Sequence, residues 1–340
     1  MSELHKFLFD GLPVRGMVVR LTDAWQEILR RRASNPNAEP LAEPVRDMLG
    51  EMVAAAALMQ SSIRFDGALV LQIFGDGPVK IAVVEVQHDL SLRATAKVVG
   101  DLPAGAKLSD MVNATNQGRC AITLDPKSKF PGQQPYQGVV PMFDDQHEKI
   151  EQLSEVLEHY MLQSEQLDTT LVLAADDKVA AGLLIQRLPV QGERNLEGRA
   201  KAGGPALEGV VLNQANEDEI GLNEHYNRIA LLASSLKREE LLTLDVDTIL
   251  RRLFWEEQVL RLAPQEGDQG PRFACTCSRE RVGNMIRSLG TQEAEAIIAE
   301  RGNIEVGCDF CGQFYWFDAV DAAQLFTEAS DQAPGSSAVQ

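Results

Sequence analysis

At 340 residues the chain is too long for one ordinary small core, and two domains is the natural division. Apolar residues at 44% and charged residues at 24% are typical of a folded globular chain and argue against global disorder. A formal charge of −18, from 50 acidic against 32 basic residues, argues against nucleic-acid binding through phosphate neutralisation, and no apolar run approaches the ~20 residues that span a bilayer.

The N-terminus, Met-Ser-Glu-Leu-His-Lys, has no basic-then-apolar signal pattern, so the expected location is cytoplasmic, with no membrane partner. Gly16 to Leu21 then reads as a short strand. Thr22 or Asp23 can cap a helix running to Arg32, with Trp25, Ile28 and Leu29 on one face. After a Pro/Asn/Ala loop, a helix from about Leu41 to Ile63 has a Met- and Ala-rich middle suited to burial. Strands follow at Ala68 to Phe74, Val79 to Gln87 and Leu92 to Val99, separated by turn signals such as Gly75-Asp76-Gly77-Pro78. Two further short strands contain Cys120 and Val139-Val140. His147 to Gln166 is expected to be helical from the spacing of Ile150, Leu153, Val156, Leu157 and Tyr160. Thr169 to Ala175 and Ala180 to Arg187 read as a hairpin around Asp176-Asp177-Lys178.

From Pro189 to about Asn216 the composition shifts to that of a linker, with Gly203-Gly204-Pro205 interrupting any long helix. Leu222, Tyr226, Ile229, Leu232 or Ala233, and Leu236 then form the apolar face of an amphipathic helix, and a second short helix near Val246 to Glu256 contains Phe254 and Trp255. Helices this short fold only by docking, and the N-terminal domain is the available surface. The expected fold class is therefore α+β. A mixed α/β domain with a mostly antiparallel sheet spans 1–187, a flexible and helical linker 188–270, a small C-terminal zinc module 271–328, and a disordered tail 329–340.

The chemistry lies in the cysteines. Cys275-Thr-Cys277 is followed, after thirty residues, by Cys308-Asp-Phe-Cys311, with Gly307 and Gly312 flanking the second pair. Two close pairs in a reducing compartment read as metal ligands or redox thiols rather than as a disulfide framework. No histidine lies beyond His225, so the local donor set is Cys alone, which suits one tetrahedral zinc ion and leaves no open catalytic position. Most such sites are purely structural, and a zinc-stapled interaction protein without a switch is the first alternative. Two points favour an oxidation switch. The module has little apolar mass and depends on its metal. Zinc can contribute ~10–16 kcal/mol to folding, whereas closing two tiny disulfide loops returns only about 4 kcal/mol. Between Arg272 and Asp318, five Arg and no Lys stand against seven Asp and Glu, a net of −2, which disfavours a nucleic-acid zinc ribbon.

At these residues the chain resembles the redox-regulated molecular chaperones of the heat shock protein 33 family. The resemblance rests on Phe273-Ala-Cys275-Thr-Cys277-Ser-Arg-Glu-Arg-Val282, on Leu289-Gly290, and on Ile304-Glu-Val-Gly-Cys308-Asp-Phe-Cys311 through Tyr315 and Phe317. Tyr136-Gln-Gly-Val-Val140 resembles a segment of that family's N-terminal domain. The resemblance implies a protein that is zinc-bound and inactive when reduced. Peroxide or hypochlorous acid under unfolding stress would form two disulfides, by position Cys275–Cys277 and Cys308–Cys311. Zinc would leave, the module and adjoining linker would unfold, and exposed apolar surface would hold unfolding client proteins, often as a homodimer, without ATP and without being an enzyme. The chain departs from the family pattern around Glu193 to Gly209, where the linker looks longer and richer in Gly and Ala.

Cys120 reads as a buried, inert thiol in a strand, and His225 as an exposed or capping helix residue. The apolar faces of the Leu222 to Leu236 and Val246 to Trp255 helices are packing surfaces first and become client surface only if oxidation uncovers them. A thiol oxidoreductase using Cys308 and Cys311 is the remaining alternative; it lacks the thioredoxin-like βα context.

Overall fold

In the computed structural model the described residues are 1–103, 105–128, 135–188 and 223–327. The chain clusters into two units, Met1–Leu29 with Leu41–Ala274, and Arg30–Pro40 with the chain from Cys275 onward. It opens with β1 (Glu3–Phe9), β2 (Val14–Leu21), α1 (Asp23–Ala33) and the long α2 (Glu43–Ser62). Strands β3 (Gly67–Phe74), β4 (Val79–Gln87) and β5 (Ser91–Val98) follow, then α3 (Leu108–Val112), β6 (Arg119–Pro126), β7 (Tyr136–Pro141) and α4 (Leu153–Glu165). The hairpin β8 (Thr169–Ala175) and β9 (Ala180–Arg187) precedes α5 (Glu224–Ser234), α6 (Arg238–Thr243) and α7 (Val246–Leu253). Three short strands, β10 (Val259–Arg261), β11 (Gln265–Glu266) and β12 (Arg272–Phe273), complete the first unit.

The first unit contains two sheets, in the orders β10-β1-β2-β9-β8 (with β11 also on β1) and β12-β5-β4-β3-β6-β7. Among the described residues every pairing in this unit is antiparallel except β12 on β5, in agreement with the expected α+β class and its mostly antiparallel sheet. Helix α2 packs on both sheets. Met52 through Gln60 are all buried, because a helix apolar on every side must be enclosed and its run of alanines keeps it thin.

Sheet β10-β1-β2-β9-β8 is buried on both faces. Leu4, Met17 and Val19 join the core around α2, while Phe7, Phe9, Val18, Leu183 and Ile185 join a second core closed by Tyr226, Ile229, Leu250 and Phe254 from or beside α5 and α7. The Phe9 and Phe254 rings meet edge to face at 4.9 Å, and Phe7 lies over Gly16, leaving no room for a Cβ there. Arg20 of β2 donates to the carbonyls of Leu241, Leu242 and Leu244 at 2.8–3.2 Å, satisfying the free end of α6. The helices expected to dock thus do so, inside the first unit.

Two local expectations change, and one strand was not foreseen. Helix α4 begins at Leu153 rather than His147. His147 adopts a left-handed backbone (φ 64°), and the Ile150 amide donates to the Met142 carbonyl, so Ile150 is buried from an extended stretch. Helix α7 ends at Leu253, leaving Trp255 exposed. Strand β1 was not legible, because burial on both faces removes the alternation that marks a strand. The Glu193 to Gly209 linker, Leu222 and the 329–340 tail lie outside the described residues. No helix among the described residues is long and apolar enough to cross a membrane.

Two carboxyls of the first unit make its stability pH-dependent. Burial pushes Glu51 of α2 and Glu158 of α4 up to about 7, against the opposing pull of Arg238 and of the Leu171 amide respectively. The folded state therefore holds protons that the unfolded chain has released. This contribution is complete below about pH 4 and is lost as pH rises through 7. The melting temperature of this unit is expected to rise from pH 8 to pH 5, and Glu51→Gln combined with Glu158→Gln to flatten that slope in thermal scans.

Candidate metal centre

The second unit carries α8 (Arg279–Leu289), α9 (Thr291–Arg301), the hairpin β13 (Ile304–Gly307) and β14 (Phe314–Phe317), and α10 (Ala319–Thr327). Its buried core is small: Ile286, Ala294, Ile304, Phe317 and Ala322, flanked by partly buried residues such as Val282 and Leu325. Arg279 sits 4.2 Å over the Phe317 ring and pairs with Asp321 at 2.7 Å, fastening α8 to α10.

Two local structures present the cysteines. Cys275 and Cys277 lie in the stretch that ends at Ser278, whose hydroxyl accepts the Arg281 amide and starts α8. Cys308 and Cys311 occupy the loop of the β13–β14 hairpin, which Gly307 and Phe314 close as a register pair. In that loop the Cys308 amide donates to the Gln313 carbonyl (2.9 Å) and the Gly312 amide to the Cys308 carbonyl (2.8 Å), with Gly312 left-handed at φ 72°. That conformation is open to glycine at no steric cost, and here it folds the CxxC into a turn that aims both sulfurs one way. Within this unit Asn35 packs against Gly312, and Arg32 feels the charge of Asp309.

The four sulfurs lie within 4.8 Å of one another. Cys275 Sγ and Cys308 Sγ are 3.7 Å apart, Cys277 Sγ and Cys311 Sγ 3.4 Å. Zn–S bonds of ~2.3 Å in a tetrahedron place sulfurs about 3.8 Å apart, so this spacing suits a shared ion. It is far beyond a disulfide's ~2.05 Å, and none of the four cysteines is in a disulfide. Crowding raises the cost of thiolate charge. The hydrogen bond with Cys275, then burial, pushes Cys308 up, and burial first pushes Cys311 up to about 11. A divalent cation reverses that balance. Four soft donors with no imidazole or carboxylate in the set could hold zinc.

One contributor escaped the sequence reading as a site residue. The Tyr315 hydroxyl donates to Cys277 Sγ at 3.2 Å, and that contact holds the phenol proton, pushing the Tyr315 pKa up. Val306 is the register partner of Tyr315 in the hairpin, and only that register carries the ring to the far cysteine pair. Losing a hydrogen bond to a charged sulfur costs about 1.5–3 kcal/mol. Tyr315→Phe is therefore expected to release metal roughly tenfold or more faster in a chromophoric chelator assay. Cys120 is fully buried, with its thiol pushed up to about 12 by burial, and His225 is exposed on α5; neither joins the cluster.

The chain is similar over nearly its full length to known proteins. It is 43% identical over 325 residues to a 33 kDa chaperonin of Chromobacterium violaceum, covering 96% of this chain and 94% of that one. A 33 kDa chaperonin of Methylobacillus flagellatus is 42% identical over 327 residues, with the same coverage of 96% and 94%. The crystal structure of a heat shock protein 33 homolog from Thermotoga maritima shares the fold, with a TM-score of 0.67 at 20% identity over 97% of this chain and 99% of that one. The family model for the Hsp33 protein matches residues 2–318, and the chain belongs to the Hsp33 family.

Proposed function

We propose that this protein is a redox-regulated, ATP-independent holdase chaperone of the cytoplasm, held inactive by one zinc ion on Cys275, Cys277, Cys308 and Cys311. The chaperone role is supported by family membership and by relatives named 33 kDa chaperonin. The observation that carries the switch is a four-sulfur cluster in a unit whose own core is too small to hold it folded. Its functional parts are a chaperone core over 1–187, a helical connecting region over 188–270, and the switch over 271–328.

Each switching step converts two thiolates and one peroxide, with two protons, into one disulfide and two waters. The pairs are Cys275–Cys277 and Cys308–Cys311. Loss of thiolate ligands releases zinc, the unit unfolds, and apolar surface becomes available to unfolding client proteins, with a homodimer as the active form. The shortest sulfur contacts run crosswise, Cys275 to Cys308 and Cys277 to Cys311. Crosswise disulfides would close loops of more than thirty residues, each worth roughly 3–4 kcal/mol, and would oppose unfolding. Pairing within the CxC and CxxC closes only tiny loops and leaves the two halves free to part.

Reduced, zinc-loaded protein treated with peroxide at elevated temperature is expected to release zinc and to suppress thermal aggregation of an unrelated protein, reversibly with a thiol reductant. Disulfide mapping by mass spectrometry is expected to find the within-pair links. Zinc that stays bound, or leaves without any gain in suppression, makes the cluster a structural staple in an interaction protein.

A further inference from the structure

Away from the cysteines, the first unit holds a cavity of about 360 Å³ where the C-terminal end of α2 meets β1 and β2. Lys6 pairs with Met17 in register and Leu8 with Arg15, so these four side chains share one face of the β1–β2 ribbon. Lys6 and Arg15 line the cavity together with Arg64, Ser61 and Ser62, and none of the described lining residues is acidic. In a chain with a formal charge of −18, three cations converge on one space with no carboxylate among its described lining residues.

Among the described residues the acceptors of Lys6 and Arg15 are neutral. Lys6 Nζ donates to the Ser61 carbonyl at 2.8 Å, and Arg15 donates to Gln186 Oε1 through Nε at 3.0 Å and through Nη2. The Lys6 contact relieves the carbonyl end of α2, which has no basic residue in its last turn. That role uses one of three ammonium hydrogens. Among the described residues nothing accepts from the other two or from Arg15 Nη1. Burial lowers the pKa of both groups, and for Lys6 the nearby Arg15 adds to the effect. Both signs indicate positive charge taken from water with no opposite charge beside it among the described residues.

A second cavity of about 70 Å³ shares Arg15, Ser62 and Ile63 with the first and is walled by Met59, Leu69, Ile122 and Leu124. The one carboxylate among its described lining residues, Glu165, accepts the Tyr160 hydroxyl at 3.1 Å. The pair of spaces therefore sets a cationic chamber beside an apolar one, with Arg15, Ser62 and Ile63 lining both, the profile of a site for a small ligand with a charged head and an apolar tail.

We propose that the Lys6–Arg15–Arg64 chamber binds the carboxylate head and first methylenes of a small amphipathic acid, the end of whose alkyl tail enters the Met59–Leu69–Ile122 cavity. A carboxylate takes charge-assisted hydrogen bonds from guanidinium and ammonium groups together, and the apolar walls add a preference for the tail over a bare anion. The site stands on these residues alone and is independent of the redox reading.

Octanoate is the probe, titrated into the reduced, zinc-loaded full chain with methionine methyl groups followed by NMR. The Met17 and Met59 methyls, one in each cavity, are expected to shift saturably, while Met285 in the other unit reports that the protein stays folded and unperturbed. Octanoate is expected to bind at least about tenfold tighter than 1-octanol or inorganic phosphate. Arg15→Gln is expected to weaken it about tenfold and Arg64→Gln about threefold. Arg64 is exposed, so its variant carries the test should Arg15→Gln fail to fold. No saturable shift, equal affinity for 1-octanol or for phosphate, or a folded variant of either arginine that binds octanoate as tightly as the parent overturns the proposal.

Discussion

Stripping metal from the reduced, zinc-loaded protein with a strong chelator is expected to unfold residues 275–327 and to leave the two-sheet unit folded. The reason is the disparity between metal and core. A structural zinc contributes ~10–16 kcal/mol, and no other interaction among the described residues of the second unit approaches that. Its buried apolar residues are Ile286, Ala294, Ile304, Phe317 and Ala322, of which two are alanines. Burying an Ile or Phe side chain stabilises by about 1.5–3 kcal/mol, and the entropy of ordering some fifty residues consumes that gain. Cys311→Ser is the matching variant, since it removes the most buried thiolate and leaves a poorer donor at that position. Hydrogen exchange is expected to show protection lost throughout 279–327 and kept in α2 and in strands β2 to β6. Protection that survives chelation would mean that the small core suffices and that the switch has no thermodynamic basis.

Ile229→Asp, in the reduced and zinc-loaded protein, is expected to detach α5 to α7 from the first sheet and, under the proposed function, to switch on aggregation suppression without an oxidant. Ile229 is fully buried in the cluster that joins these helices to Phe7, Phe9, Val18, Leu183 and Ile185. Losing its side chain alone costs about 2–5 kcal/mol, and a buried carboxylate without a partner adds several more. Helix α5 has eleven residues, too few to persist in water once its face is refused. Limited proteolysis is expected to cut within 223–253, and thermal aggregation of an unrelated protein to be suppressed. Cleavage without suppression would exclude the uncovered sheet face as the surface that holds clients. Resistance to cleavage would show that the docking tolerates a charge.

Much of the secondary structure was legible because it follows local rules. The buried Met/Ala helix, the β8–β9 hairpin at Asp176-Asp177-Lys178 and the meander β3-β4-β5 were each written in periodicity and turn residues. Legibility failed where tertiary context overrides the pattern. Ile150 fits a helical spacing, yet the Met142 carbonyl takes its amide and holds it outside α4. Strand β1 presents apolar residues to both sides, and its register partner in β10, Arg261 opposite Phe7, lies more than 250 residues away.

By itself the sequence determined which four thiols stand in two close pairs, with no histidine beside them, and the α+β class, since residue spacing and hydrophobic period are properties of neighbours along the chain. Only the tertiary structure decided that there are two sheets around one helix, that α5 to α7 seal the first of them, and that Tyr315 reaches Cys277. Those outcomes depend on which distant faces meet. That choice is set by strand register and by burial summed over the whole unit, and no local window of residues contains it.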